Sequence, residues 1–150
     1  MEKPFICNSA IAIDWEGLVY FSPKNDKNNI LAARFYIPNY EYLEYMESPD
    51  CPPVFVAGKE LDGSLELLDI TSAGQTDAAS PSRIKQDDDS IDEHNTEVTG
   101  IVIGLNPKER TAQVRVEGFP VDITVFDECV KQFEVGARVM LIGDLEFCYE

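Results

Sequence analysis

The sequence predicts a mostly β protein built from two β-rich lobes joined by an acidic linker. Three observations carry that expectation. Short runs of residues alternate apolar with polar at period two, the pattern of half-buried strands. Gly, Pro, Asn and Asp separate those runs and mark turns between them. From residue 72 to 97 apolar side chains become sparse and Asp87-Asp88-Asp89 sits near the middle. So little apolar surface cannot offset the entropy of ordering a chain, so this stretch is expected to be a disordered linker. The lobes are then residues 1–71 and 98–150.

In the first lobe, Phe5 to Ile13 has strand composition and ends at the turn Asp14-Trp15-Glu16-Gly17. Leu18 to Phe21 follows as a second strand, closed by Ser22-Pro23 and the polar loop Lys24 to Asn29. Leu31, Ala33, Phe35 and Ile37 alternate with Ala32, Arg34 and Tyr36, which predicts a third strand. Tyr40 to Met46 is expected to be a short helix, with Asn39 as its cap and the prolines after Ser48 as its stop. Val54 to Gly58 and Leu65 to Ile70 read as two more strands, with Asp62-Gly63 as a hairpin signal between them.

The second lobe opens with Val98 to Leu105, apolar enough for a buried strand, and a polar turn at Asn106 to Arg110. Ala112, Val114 and Val116 alternate with Gln113, Arg115 and Glu117; after Gly118, Phe119, Val121, Ile123 and Val125 alternate again. These two runs are the strongest hairpin in the chain. A short helix is expected from Asp127 to Phe133 with Asp127 as its cap, then a long strand from Val139 to Phe147 in which Gly143 marks a bulge or kink.

Both lobes share an order of three strands, a short capped helix and a Val-rich strand broken by glycine. That order resembles the OB-fold, a five-stranded partly open barrel. The resemblance implies one or two small OB-like β-barrels, each with a short helix. The second lobe ends at Glu150 without a clear fifth strand.

The net charge is −16, from 12 basic and 28 acidic residues. Residues 1–71 carry −7, residues 72–97 carry −5 and residues 98–150 carry −4, so the lobes hold 11 of the 16 net charges. An acidic surface repels the phosphate backbone and attracts basic partners. No apolar run approaches the roughly 18 residues of a membrane span. The N-terminus lacks the layout of a secretory signal, so a cytoplasmic protein with reduced thiols at Cys7, Cys51, Cys129 and Cys148 is expected.

Catalysis is not expected. The only histidine, His94, falls in the linker, far from the usual spacing of a zinc site or of a base beside a cysteine. No nucleotide-binding glycine motif or nucleophile elbow occurs. The acidic run Asp87, Asp88, Asp89, Asp92, Glu93 lacks the glycine and spacing of a calcium loop. No cofactor or metal is therefore implied.

What remains is binding. The leading expectation is a non-catalytic protein whose acidic folded surface docks on a basic partner, as a nucleic-acid mimic inhibiting a nucleic-acid-handling protein. The face expected to make contact is the tyrosine-rich helix, Tyr40, Glu41, Tyr42, Glu44, Tyr45 and Glu47, because tyrosine is enriched in interface hot spots. The alternative is an OB-type single-strand binder using Tyr20, Arg34, Tyr36, Lys108, Arg110 and Arg115. Acid outnumbers base in each segment, which makes direct nucleic-acid binding the weaker expectation.

Overall fold

The alternation in the first 36 residues becomes three antiparallel strands in the computed structural model, which describes residues 3–13, 16–36, 52, 54–86 and 95–149. The chain divides into two units, residues 1–63 with 147–150, and residues 64–146. This division differs from the two lobes expected above.

The first unit contains β1 (Phe5–Ile13), β2 (Glu16–Pro23), β3 (Leu31–Tyr36) and the short β4 (Glu60–Leu61). Their order across the sheet is β4-β1-β2-β3, with every pairing antiparallel. Period-two alternation sends Phe5, Cys7, Val19, Phe21 and Phe35 into the core, each at most 1% exposed. Phe5 and Phe21 meet edge to face at 5.1 Å, and Phe21 meets Phe147 at 5.3 Å. Such edge contacts add to the burial of the rings themselves.

Val54 to Gly58 is not the strand expected from its composition. Phe55 N donates to Pro52 O at 3.0 Å and Lys59 N to Val56 O at 2.9 Å, so the segment turns. The preceding prolines lack the N–H groups a strand ladder uses. The turn sets Phe55 against Phe35, ring centroids 4.5 Å apart, and Gly58 leaves it at a positive φ of 84°. Asp62-Gly63 is likewise no hairpin, because β4 pairs with β1 and the following strand pairs elsewhere.

The second unit holds β5 (Ser64–Gln75), β6 (Arg83–Lys85), β7 (Thr96–Asn106), β8 (Thr111–Arg115), β9 (Ile123–Phe126) and most of β10 (Arg138–Cys148). Here β7, β8 and β9 form an antiparallel meander, β9 pairs in parallel with β5, β5 lies beside β10, and β10 returns antiparallel to β7. The ring closes, giving one five-stranded barrel. Its interior is filled by alternate residues: Leu65 and Leu67, Val98 and Val102, Ala112 and Val114, Ile123 and Val125, Val139 and Leu141, all at most 1% exposed.

Two glycines stand where the alternation points inward. A Cβ on Gly143 would lie 2.6 Å from the Leu68 carbonyl oxygen, and one on Gly100 would lie 2.5 Å from that of Arg115. Neighbouring backbone therefore crosses over both positions, as closing so few strands requires. Against β7, the register of β10 runs without a shift from Arg138 to Gly143, which pairs with Thr96. An irregularity falls on β7, between Val102 and Gly104.

Of the one or two barrels expected, the structure has one. The strand expected to finish the first lobe, Leu65 to Ile70, is part of β5 and serves as the barrel's fifth strand. The expected disordered linker is also revised where the chain is described. Ser72–Gln75 extends β5, Arg83–Lys85 forms β6 on the edge of β7, and Thr96 and Glu97 begin β7. The expected second helix is a 3₁₀ helix, Glu128–Gln132, and Asp127 caps it by accepting from Cys129 N at 2.9 Å. The expected first helix lies outside the described residues.

Candidate functional site

Alternation decides which side chains each unit offers to solvent. On β2 and β3 the register Leu18↔Arg34, Tyr20↔Ala32 and Glu16↔Tyr36 sets Tyr20, Arg34 and Tyr36 on one face of the sheet. Tyr36 is 52% exposed, and Ile11, opposite Leu18 on β1, is 55% exposed. Arg34 Nη1 lies 3.5 Å from Glu16 Oε1, so its charge already has a carboxylate partner. Tyr149 donates its hydroxyl to Tyr36 O at 3.0 Å. Burial pushes the Tyr149 phenol above its ordinary pKa, so it stays a donor near neutral pH.

In the second unit, β8 and β9 present a second outward face. Gln113↔Thr124 and Thr111↔Phe126 are cross-strand pairs, and the Thr124 hydroxyl donates to Gln113 Oε1 at 3.0 Å. Arg115 stands at the end of β8 and pairs with Asp122, Nε to Oδ1 3.1 Å. Arg110 ends the β7–β8 turn at a positive φ of 56° and pairs with Glu128, Nη1 to Oε1 2.9 Å. Lys131 reaches the other Glu128 oxygen at 2.8 Å. Its hydrogen bond, with the Arg110 charge beside it, holds the Glu128 carboxyl below the usual range.

A cavity of about 380 Å³ opens at one end of this face, lined by Glu109, Arg110, Phe126, Asp127 and Glu128. Asp127 N donates to Arg110 O at 3.0 Å, which ties the β7–β8 turn to the chain that follows β9. Phe126 ends β9 and is 37% exposed. It was not among the residues singled out from sequence. Its parity carried the signal: Ile123 and Val125 point inward, so Phe126 shares the outward side with Asp122 and Thr124.

The residues proposed for single-strand binding belong to different units. Tyr20, Arg34 and Tyr36 share a face in one unit, while Lys108, Arg110 and Arg115 occupy the β7–β8 turn and β8 in the other. All three arginines are ion-paired. Tyr40, Glu41, Tyr42, Glu44, Tyr45 and Glu47 lie outside the described residues, as do His94 and the Asp87–Asp89 run. Among the described residues no helix is long and apolar enough to cross a membrane.

Cys7, Cys129 and Cys148 are thiols, and Cys7 is buried. Partial burial, a hydrogen bond to Asp127 and the nearby Asp127 charge push the Cys129 thiol up to about 12. Its thiolate fraction near neutral pH should be on the order of a thousandfold below that of an ordinary thiol. Iodoacetamide at pH 8, followed by peptide mapping, is expected to leave Cys129 unmodified under conditions that alkylate an unperturbed cysteine. Alkylation at an ordinary rate would contradict this environment. No family profile, curated protein or solved structure matches the chain.

Proposed function

We propose that this chain is a non-catalytic binding protein whose acidic folded surface docks on a basic partner, competing there with nucleic acid. One observation carries the reading: the barrel unit's cations are largely neutralised within the unit, while its acid is in excess. Residues 64–146 hold 7 basic and 17 acidic side chains, a net charge of −10. Arg83, Arg110, Arg115, Lys131 and Arg138 are each paired with a carboxylate. Exposed pairs of this kind contribute only about 0.2–1 kcal/mol each to stability. Their larger effect is on the field, since a paired cation offers little to phosphate and the leftover carboxylates favour a positively charged surface.

The Tyr40–Glu47 segment remains the proposed principal contact. Replacing Glu41, Glu44 and Glu47 with lysine changes the local charge by six units, and capture of the basic partner is expected to fall at least tenfold. Wild-type partners should elute as salt rises. Retention that ignores salt would overturn the charge-driven reading, and unchanged capture by the triple variant would remove this segment from it.

A second reading has its own support. We read the barrel as OB-type: a meander of three strands, a short helical turn, a fourth strand that closes on the first, and a strand parallel to the third. In this chain that last strand precedes the others, so the order is a circular permutation of the OB arrangement. OB barrels bind single strands on the face of their second and third strands, here β8 and β9 with Phe126 and Arg115. Gel shift with single-stranded oligonucleotides at low salt separates the readings. Submicromolar binding would favour this one and overturn the mimic.

A further inference from the structure

The cavity beside Phe126 has a chemically mixed lining. It brings one half-exposed aromatic ring together with three carboxylates, Glu109, Asp127 and Glu128, and one guanidinium, Arg110. That guanidinium is already engaged by Glu128 at 2.9 Å. Asp127 spends Oδ2 on the Cys129 amide. The Glu109 amide donates to Asn106 Oδ1 at 3.4 Å, so the turn that carries Glu109 is tied by its own side chain. A phosphate entering here would meet three carboxylates and a cation that is taken.

A planar cation meets the opposite conditions. A guanidinium stacks on an aromatic face and presents its fork of N–H donors to a carboxylate in the same plane. A volume of about 380 Å³ lies at the small end of ligand pockets, which run from about 300 to 1,000 Å³, and suits a side chain better than a whole cofactor. We infer that this cavity receives an arginine side chain of the basic partner, its guanidinium against the Phe126 ring and within reach of Glu109 and Asp127. The inference rests on the reading that the partner is basic, and it names one place where the partner is held.

The experiment is an NMR titration of the full chain with an arginine hexapeptide, capped at both ends, at low salt. A citrulline hexapeptide, which keeps the shape and loses the charge, is the control. The arginine peptide is expected to bind, with the largest amide shifts on residues 109, 110 and 126–128, and the citrulline peptide is expected not to. Phe126→Leu keeps an apolar residue at the end of β9 and removes the π face. It should weaken binding about two- to fivefold, the worth of one exposed cation–π contact. Glu109→Gln, on an exposed turn, should weaken it by a similar factor.

Binding with shifts centred elsewhere, or a Phe126→Leu chain that titrates like the parent, overturns the site and leaves the basic-partner reading standing. No binding of the arginine peptide also overturns the site. The broader reading then stands or falls on whether captured partners elute with salt.

Discussion

Phe21→Ala is expected to destabilise the first unit by about 3–5 kcal/mol, the range for truncating a fully buried phenylalanine. The ring is 0% exposed and touches two others, Phe5 at 5.1 Å and Phe147 at 5.3 Å. Removing it costs its transfer free energy, the edge contacts and a cavity that the two flanking strands, β1 and β3, close only partly. Because the chain has two units, one global melting temperature is a poor measure. Amide hydrogen exchange resolves them: protection in β1, β2 and β3 should collapse. A loss below about 1 kcal/mol would mean that the aromatic cluster is not the core of this unit.

Gly143→Ala is expected to destabilise the barrel by about 2–3 kcal/mol, at the upper end of ordinary overpacking. Its sign is the informative part, since alanine normally favours an extended chain over glycine by roughly 0.5–1 kcal/mol. Here the added methyl would meet the Leu68 carbonyl oxygen at 2.6 Å and the Ile70 Cδ1 atom at 2.8 Å. Ile70 can rotate away, whereas the carbonyl belongs to β5 and moves only with the strand. Gly74→Ala on the same β5 is the control, because nothing lies within 4 Å of its added atom. Chemical denaturation of both variants should show a loss for the first and none for the second. Equal stabilities would contradict the close crossing of β10 and β5.

Period-two alternation made much of this fold legible because it reports which way a side chain faces. It located β3, β8 and β9 and identified inward residues of each, among them Phe35, Val114 and Ile123, whereas composition and turn residues placed β1, β2 and β10. It does not report which strand lies alongside. Leu65 and Leu67 look the same whether β5 finishes a first lobe or pairs in parallel with β9, and only the register Leu65↔Ile123 distinguishes the two. The composition of Ser72–Gln75 and Arg83–Lys85 suggests disorder because these segments have little apolar surface to bury. Polar groups serve there instead: Arg83 with Glu97, Gln86 with the Thr96 hydroxyl at 3.0 Å, and Arg138 with the Ser82 hydroxyl at 2.8 Å. The candidate surface was half visible. Arg110 and Arg115 stood out as basic residues, but their carboxylate partners Glu128 and Asp122 lie 18 and 7 residues further along. Those pairings reverse what the arginines imply about phosphate.

The early place of β5 has a consequence for how the protein is made. Leu67 pairs with Val125, 58 residues later in the chain. At translation rates of about 5–20 residues per second, β5 is synthesised roughly 3–12 seconds before its parallel neighbour exists. Until then Leu65 and Leu67, fully buried in the finished barrel, have no interior to enter. The barrel cannot close until β9 and β10 have both been made, and that interval is when a nascent chain of this kind is most open to chaperones and to mispairing.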